Sequence, residues 1–404
     1  MTSYDLDWFI SVDDHVLEPP NVWQDRVPQK YKERAPRIMR EDGEEFWAYD
    51  GLRKATEGMA AAAGKDKQEF SPEPLSYEDM RPGCYEPKAR VEDMNEDGCI
   101  ASVCFPSFPR FAGQVFYEAK DKELALLCVQ AYNDWMIDEW SGSQPGRFIP
   151  NTLIPMWDPQ LSAREIERCS AKGAKAFAFS ENPSKLGLPS LYDRDRYWDP
   201  VLQAASDTGM VICTHIGSSS QLPKTAPDSP LIVSVVLTPM NAVSNLMDWL
   251  FSGALVRFPN IKVALSEGGV GWIPYALERA VWTLDRQRHW ASKGDFELGG
   301  HGTDSEGLSP EVFDADFYQL FRNQVFGCMI DDVFGSKNLH DIGIDNVMSE
   351  ADYPHTDSTW PYTLKTLKER LAPYTEEEQY KVLQGNARRV FDFTPAEPPS
   401  NIRP

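Results

Sequence analysis

The chain of 404 residues lacks several features that define large classes of protein. No apolar run approaches the roughly 18 residues that a membrane span requires, and the N-terminal segment MTSYDLDWFISVDDH has no basic region of the kind that begins a signal peptide. Neither a GxGxxG fingerprint nor a P-loop follows the first apolar segment. These absences predict a cytoplasmic protein without a membrane segment, and they disfavour a Rossmann-type nucleotide domain.

Cysteine pairs and positive charge are also scarce. The seven cysteines are scattered and form no CxxC pair, which is typical of reduced thiols packed as small hydrophobic residues. Lys and Arg number 40 against 62 Asp and Glu, so the formal net charge is −22. Because nucleic acid and anionic membranes would repel such a chain, we expect neither as a partner. Hydrophobic residues make up 42% of the chain, which supplies a large core and excludes global disorder.

Short apolar segments rich in Val, Ile and Phe alternate with helical patterns along the chain. The eight predicted strands are 8–12, 100–105, 148–155, 175–179, 210–214, 261–265, 325–330 and 347–349. The predicted helices are 120–140, 162–171, 199–206, 241–255, 272–290 and 376–390. Such alternation indicates an α/β protein with a parallel sheet, and eight units predict a (β/α)₈ TIM barrel. A doubly wound sheet is the structural alternative.

Three long polar stretches exceed the needs of a minimal barrel. They lie at about 19–90, 217–238 and 291–322. Long loops on the catalytic face of a barrel are commonly substrate lids, and decorative insertion is the alternative. We therefore predict one barrel over residues 1–393 with three insertions, followed by a surface tail at 394–404.

Histidine is rare, and its positions are informative because three of the six histidines lie beside carboxylates at predicted strand ends. Asp13 and His15 are two residues apart at the end of the first strand, so both side chains point to the same face. His215 ends the fifth strand. A capping Asp with a solvated His, and a core His bonded to a backbone carbonyl, are the respective structural alternatives.

Acidic residues end three further predicted strands. Glu181 follows the fourth strand, and Glu267 ends the sixth strand before two glycines that leave room beside the carboxylate. Glu350, Asp352 and His355 follow the eighth strand within six residues. Capping of a turn or helix remains open for Glu181 and Glu267, and pairing with a barrel arginine for one of the last two carboxylates.

The convergence of these groups at one end of a barrel favours a metal site. Asp13, Glu181, Glu267 and Asp352 carry four negative charges that two divalent cations would neutralise, and without a metal they would repel one another. A carboxylate-rich set with only two imidazoles suits iron or manganese better than a thiolate-type zinc site. The candidate metal ligands are Asp13, His15, Glu181, His215, Glu267 and Asp352.

The motifs FPNIKVALSEGGVGWIPYALER and SEADYPHTDSTWP resemble the amidohydrolase superfamily, in particular its amidohydrolase-related (amidohydrolase 2) branch, over nearly the whole chain. The resemblance implies a (β/α)₈ barrel with metal at the strand ends, and the branch contains decarboxylases of aromatic and muconate-type acids. Two positions depart from the pattern of the hydrolases. Asp13 replaces the first His of HxH on strand one, and Glu267 replaces the usual His on strand six.

Within that superfamily the segment DDHVLEPP resembles the TIM-barrel nonheme diiron monooxygenases of platensimycin and platencin biosynthesis. This resemblance implies an oxidoreductase with two iron ions that hydroxylates a C–H bond of a hydrophobic, diterpenoid-like acyl-CoA with dioxygen and an external electron donor. Glu350 and His355 would then orient ligands or relay protons, and a direct metal-ligand role for either remains open. Lys224, Arg286 and Arg288 could meet the CoA phosphates, although ordinary surface charge is the favoured interpretation.

Two other functions remain open. One is a hydrolase or nonoxidative decarboxylase that uses zinc or manganese, with Asp352 as general base. The other is an inactive barrel that serves as a binding module, which the several acidic positions disfavour. By analogy with the branch, a homodimer is also possible.

Overall fold

The computed structural model describes residues 4–293, 297–298, 301–302 and 307–399. The strands are β1 Phe9–Val16, β2 Arg37–Glu41, β3 Glu44–Tyr49, β4 Leu52–Lys54, β5 Cys99–Pro106, β6 Phe148–Ile149, β7 Asn151–Thr152, β8 Ala176–Ser180, β9 Val211–His215, β10 Val263–Ser266, β11 Glu297–Leu298, β12 His301–Gly302, β13 Val325–Met329 and β14 Val347–Ser349. The predicted strands are all present within a few residues, except that 153–155 lie outside any strand.

The helices follow the predicted pattern, with small shifts at their ends. The α-helices are α1 Pro87–Asp97, α2 Gln114–Glu118, α3 Lys122–Trp135, α4 Pro159–Ala171, α5 Asp199–Thr208, α6 Leu231–Leu237, α7 Met240–Phe251, α8 Ala254–Arg257, α9 Ile273–Ala291, α10 Phe317–Gln324, α11 Leu339–Ile342, α12 Thr363–Leu371, α13 Glu376–Tyr380 and α14 Asn386–Val390. Short π-helical segments, Met136–Ser141 and Lys381–Gly385, extend α3 and join α13 to α14.

The long strands form a parallel barrel. Strands β1, β5 and β6 pair in one set, and β14, β13, β10, β9, β8 and β7 pair in the other. Only Pro150 separates β6 from β7, so together they form one interrupted strand that joins the sets. On the other side, hydrogen bonds from Asp352 N to Asp13 O (2.9 Å) and from His15 N to Tyr353 O (2.6 Å) connect β1 to the segment after β14. The predicted α/β TIM barrel is therefore confirmed.

The strands are almost wholly buried because helices cover the barrel and side chains fill its interior. Both faces of a parallel barrel strand meet other protein, which explains the near-continuous apolar runs in the sequence. Local signals define the surrounding helices. The Asp158 carboxylate accepts hydrogen bonds from the first turn of α4, and α5 ends at Gly209 with φ at 71°, a conformation that glycine adopts at low cost.

The first long insertion contains structure that the polar, Pro-rich sequence did not predict. Strands β2, β3 and β4 form an antiparallel sheet in which Trp47 pairs with Lys54. Trp47 lies edge-on to Trp23, with ring centroids 5.2 Å apart, and packs on Phe108 at 4.9 Å. Large aromatic burial of this kind fixes the small sheet against the barrel. Parts of the other predicted segments, 294–296, 299–300, 303–306 and 400–404, lie outside the described residues.

One helical segment is apolar on average over a long stretch, although polar residues interrupt it. The helical segment Leu231–Phe251, which contains α6 and α7, is long and apolar enough to cross a membrane, by length and composition only. One side of this segment contributes to the site, because Val235 and Pro239 border the cavity described below. Leu231 and Val236 of the same segment are exposed.

Candidate metal centre

The ends of β1 and β9 bring together three groups that can bind a metal. Asp13 and His15 are fully buried and share one face of β1, as their spacing predicts. The Nε2 atom of His215 lies 3.2 Å from Nε2 of His15 and 3.4 Å from Oδ2 of Asp13. The ligand atoms of these three residues lie within 4.8 Å of one another. The interior of the barrel mouth is therefore lined by a compact carboxylate–imidazole cluster.

The segment after β14 adds a second carboxylate and a third imidazole. Oδ1 of Asp352 lies 3.1 Å from Nε2 of His15 and 3.1 Å from Nδ1 of His355. The His355 ring stacks on the His15 ring, with centroids 3.6 Å apart. His15, Asp352 and His355 form a second group within 4.8 Å, so His15 belongs to both groups.

Glu267 approaches the cluster from the end of β10. Its Oε2 lies 3.2 Å from Nε2 of His215, and its backbone N–H donates to Oε2 of Glu350 at 3.1 Å. Gly268 allows the backbone after β10 to pass close to α7, because a Cβ on residue 268 would lie only 2.6 Å from Cβ of Ala242. Glu267 and Asp352 both adopt left-handed φ values, 58° and 54°. Such conformations cost on the order of 1–3 kcal/mol each in a non-glycine residue and concentrate at functional sites.

The buried ligand atoms of the cluster fit a cation. Within the described part of the chain, both carboxylate oxygens of Asp13, Oδ2 of Asp352 and Nδ1 of His15 have no hydrogen-bond partner, and Oδ1 of Asp352 meets only the two imidazole nitrogens at 3.1 Å. A buried charged group is costly unless it is paired or coordinates a metal. Two carboxylates and two or three imidazoles supply both the charge and the donor atoms that a divalent transition metal needs.

The protonation states of the imidazoles suit ligation. Burial lowers the pKa of His215 to about 4 and holds the pKa of His15 well below its ordinary value, so both rings are neutral near pH 7. Nδ1 of His215 lies 2.5 Å from the carbonyl oxygen of Ile216, which can only accept. The hydrogen therefore resides on Nδ1, and Nε2 presents its lone pair to the cluster. The backbone bond of the core-histidine alternative therefore exists, and it leaves Nε2 directed at the cluster.

The carboxylates divide into two electrostatic classes. Burial and the neighbouring carboxylates raise the pKa of Asp13, and burial followed by the charge of Asp352 raises that of Glu267. Burial also raises the pKa of Glu350. For Asp352, burial acts in the same direction, but His355 and His15 outweigh it and hold the pKa well below the ordinary value. A cation beside Asp13 would offset the repulsion from the neighbouring carboxylates, whereas burial, the largest cause, still raises the pKa of Glu267.

Two predicted residues occupy positions away from the compact groups. Oε1 of Glu181 accepts hydrogen bonds from Oγ of Ser219 (2.6 Å) and from the backbone N–H of Gly217 (3.0 Å), so this carboxylate anchors the loop after β9, although its buried Oε2 has no partner among the described residues. Glu350 is fully buried and contacts the backbone of Glu267. Ligation by Glu181 and Glu267, and the catalytic roles of Glu350 and His355, stay predictions.

A cavity of about 630 Å³ opens above the cluster. Asp352, His355 and Glu267 border it at the strand ends, while Trp47, Phe108, Phe111 and Met59 supply apolar walls. The Phe111 ring packs 4.0 Å from the His215 ring. Residues of the first insertion and of the 217–239 segment complete the lining, as expected of loops over a catalytic face. Sequence reasoning missed Phe111 and Lys54, because neither lies in a recognisable motif.

Arg90 supports the cluster from behind and was also missed. It is fully buried, and its guanidinium donates to the backbone oxygens of His15 and Gly83, both at 2.6 Å. The same guanidinium lies 4.2 Å from the centroid of the Tyr353 ring. Arg90 therefore holds the backbone of one metal-binding segment and packs on the residue that follows Asp352. No sequence pattern marks it, since it lies in α1, far along the chain from both segments.

Comparison with known proteins agrees with this geometry. The family model described as Amidohydrolase matches residues 19–393. Gamma-resorcylate decarboxylase of a Polaromonas species is 24% identical over 328 residues, covering 75% of this chain and 86% of the relative. An amidohydrolase of Mycobacterium avium subsp. paratuberculosis superimposes with a TM-score of 0.71 at 18% identity, over 97% of this chain and 100% of that chain. A Polaromonas dihydroxybenzoic acid decarboxylase with bound manganese gives a TM-score of 0.57 at 17% identity, over 95% and 97% of the two chains.

The expectation of an oxidoreductase of the monooxygenase type is wrong. Two curated relatives of this chain and a solved structure similar to it are decarboxylases, which points to a decarboxylase or amidohydrolase and not to an oxidoreductase. Dioxygen, an external electron donor and a CoA thioester as partners stay predictions. Arg288 forms surface contacts, with the Phe313 carbonyl at 2.7 Å and Asp314 at 3.2 Å.

Barrel topology, the placement of carboxylates and imidazoles at the strand ends, and the match over residues 19–393 agree on one assignment. The chain belongs to the amidohydrolase family.

Proposed function

We propose that the protein is a metal-dependent nonoxidative decarboxylase of an aromatic or unsaturated carboxylic acid. The observation that carries the proposal is the compact cluster of buried ligand atoms on Asp13, His15, His215 and Asp352, with both Asp13 oxygens lacking a hydrogen-bond partner among the described residues, beside a cavity with aromatic walls. The decarboxylase relatives support it, because the same reaction class recurs among proteins similar to this chain.

Asp13, His15, His215 and Asp352 would hold one divalent cation. The mixture of carboxylate and neutral imidazole donors suits manganese or zinc, and manganese is the ion bound in the Polaromonas decarboxylase structure. When bound, the cation would supply positive charge that stabilises negative charge on the substrate oxygens. His355 would orient Asp352 through the 3.1 Å contact between Nδ1 and Oδ1.

Decarboxylation replaces the carboxylate on a carbon atom with a proton, so the site needs a group that delivers a proton to that carbon. Glu267 has the right position, because it borders the cavity and its Oε2 lies 3.2 Å from Nε2 of His215. The carbon–carbon bond to the carboxylate breaks and carbon dioxide leaves. The electron pair of that bond stays on the substrate carbon and accepts the proton from the carboxyl group of Glu267, which becomes a carboxylate. No oxidant is consumed. The walls of Trp47, Phe108 and Phe111 would hold a planar acid and exclude water.

The test is release of carbon dioxide from a panel of aromatic and unsaturated mono- and dicarboxylic acids that begins with 2,6-dihydroxybenzoate. The protein is stripped of metal and reloaded separately with Mn²⁺, Zn²⁺ and Fe²⁺, and each form is assayed under air and under argon. We expect turnover with manganese or zinc at the same rate in both atmospheres, with one deuterium in the product formed in D₂O. Asp352→Asn should be inactive. Absence of carbon dioxide release across the panel, or a requirement for dioxygen, would overturn the proposal.

A further inference from the structure

A lysine of the inserted sheet borders the candidate active-site cavity. Lys54 is the last residue of β4, and its half-buried side chain is part of the cavity lining. Its Nζ donates to the backbone oxygens of Phe108 at 3.1 Å and Ser107 at 3.3 Å. An ammonium group has three N–H bonds, so one donor remains after these two contacts.

No carboxylate neutralises this lysine. Among the described residues, no Asp or Glu oxygen lies within 4.0 Å of the Lys54 ammonium, whereas Arg110 in the same cavity pairs with Glu118 at 3.0 Å. Glu18 is nearby, but its two oxygens accept the backbone N–H groups of Ser107 (3.0 Å) and Phe108 (2.9 Å). The 107–108 turn is therefore bonded through its N–H groups to Glu18 and through its carbonyls to Lys54.

The absence of a counter-ion is unusual in a chain with a net charge of −22. A positive charge removed from bulk water is costly unless an anion compensates it. Burial lowers the pKa of Lys54 to about 8, which still leaves the ammonium form in excess at pH 7. The charges of Glu18, Glu57 and Glu118 act on Lys54 without forming an ion pair, and the two carbonyl oxygens carry no full negative charge, so a direct counter-ion would come from a ligand in the cavity.

We propose that Lys54 binds a second carboxylate of the substrate, so that the site takes dicarboxylic acids in preference to monocarboxylic ones. The inference rests on the proposed decarboxylase function, in which the other carboxylate lies at the metal-binding cluster. One acidic group would then meet the strand ends and the other would meet the inserted sheet, with the aromatic walls between them. The insertion thereby acts as a specificity element for the barrel.

The test measures equilibrium binding and does not require turnover. Manganese-loaded protein is titrated by calorimetry with benzoate, isophthalate and terephthalate. We expect at least one of the two dicarboxylates to bind wild type roughly 10-fold or more tighter than benzoate, since a hydrogen bond between two charged groups is stronger than one between neutral groups. Lys54→Met should weaken that dicarboxylate by the same factor and leave benzoate within about twofold, and Lys54→Arg should retain most of the preference.

Lys262 provides the matched control. It is half-buried, and its Nζ also donates to a backbone oxygen, that of Val390 at 2.7 Å, but it precedes β10 at the opposite end of the barrel. Lys262→Met should preserve the dicarboxylate preference, and thermal melting of all variants verifies that they fold. If wild type shows no preference, if Lys54→Met keeps it, or if benzoate and dicarboxylate weaken equally, Lys54 only braces the turn and the inference fails.

The outcome is separable from that of the proposed function. A Lys54-dependent preference without carbon dioxide release would overturn the decarboxylase proposal alone. Carbon dioxide release without such a preference would overturn the role of Lys54 alone.

Discussion

Two buried charged residues at opposite ends of the barrel, Arg147 and Asp13, differ in how their polar atoms are paired. At the end where the strands begin, Arg147 donates to the backbone oxygens of Ile100 (2.7 Å) and Cys99 (3.0 Å), and Asn346 donates to those of Val325 and Arg322, both at 2.9 Å. At the end where the strands finish, both oxygens of Asp13 lack any partner among the described residues. Saturated polar groups stabilise a fold, whereas unsaturated ones mark the place where a ligand completes it.

The largest effect expected from this comparison concerns the metal-binding carboxylates. Asp13→Asn should reduce bound metal and activity to the level of the metal-free protein, because the amide supplies no negative charge and a weaker donor. Asp97→Asn is the matched control. Asp97 is also buried, but it lies just before β5, at the other end of the barrel, and accepts a hydrogen bond from the backbone N–H of Thr363 at 2.6 Å. Metal content by elemental analysis checks both. Full metal occupancy in Asp13→Asn would contradict the assigned cluster.

A second substitution separates proton delivery from metal binding. Glu267→Gln should lower kcat by roughly 10²–10⁴-fold with metal content unchanged, because general acid–base groups contribute factors of this size. Glu57→Gln, which changes an exposed carboxylate on the cavity rim, serves as control and should leave kcat within about twofold. Loss of metal in Glu267→Gln would instead make Glu267 a ligand, as the sequence predicted.

Substitution of two buried arginines, one near each end of the barrel, tests the two ends against each other. Arg90→Met should weaken metal affinity by about 10–100-fold, since it releases the backbone of His15, and groups that support metal ligands contribute factors of this size. Arg147→Met should lower the melting temperature without changing metal affinity, because its partners are at the far end of the barrel. Chelator competition measures affinity, and calorimetry measures stability. Equal effects on metal affinity would show that Arg90 has only a general structural role.

The smallest effect concerns the stability of the metal-free protein. Burial and neighbouring carboxylates raise the pKa of Asp13 above the ordinary value of 3.8, so the folded protein holds this proton more tightly than the unfolded chain does. Ionisation of Asp13 therefore costs folding free energy. This cost grows by about 1.4 kcal/mol for each pH increase of one between the ordinary pKa and the raised pKa, and it is constant above the raised pKa.

Metal-free Asp13→Asn should consequently be more stable than metal-free wild type, with a larger advantage at pH 8 than at pH 5. Urea denaturation at both pH values measures the difference. An advantage that stays constant or shrinks as the pH rises would contradict the proposed electrostatic cost. With metal bound the order should reverse, because wild type gains binding free energy that the variant lacks.

The candidate site residues at the ends of the strands were predictable from local sequence patterns. Asp13 and His15 are two residues apart after an apolar run, and a period of two places both on one face of a strand. His215 and Glu267 each end a buried strand, and parallel barrel strands finish at a common mouth. These inferences need only the strand period and the topology, so a single sequence was sufficient for them.

Other features depended on contacts between distant segments. Glu181 has the composition of a metal ligand, but the loop after β9 folds back onto its Oε1. Arg90 acts on His15 across 75 residues of chain, and Lys54 reaches the loop after β5 across 53 residues. The insertion around Lys54 has the composition of a polar loop, because its sheet is held by packing of Trp47 on the barrel and not by a local pattern.

Sequence alone was enough for the barrel, because the alternation of apolar strands and amphipathic helices is a local consequence of burying the backbone on both faces of a parallel sheet. It was also enough to indicate a metal site, since carboxylates and histidines rarely end several buried strands without a function. The three-dimensional arrangement decided which of these groups meet, which have their hydrogen bonds satisfied elsewhere, and which distant cations border the cavity. Those outcomes depend on distances between segments far apart in the chain, and no local propensity encodes such distances.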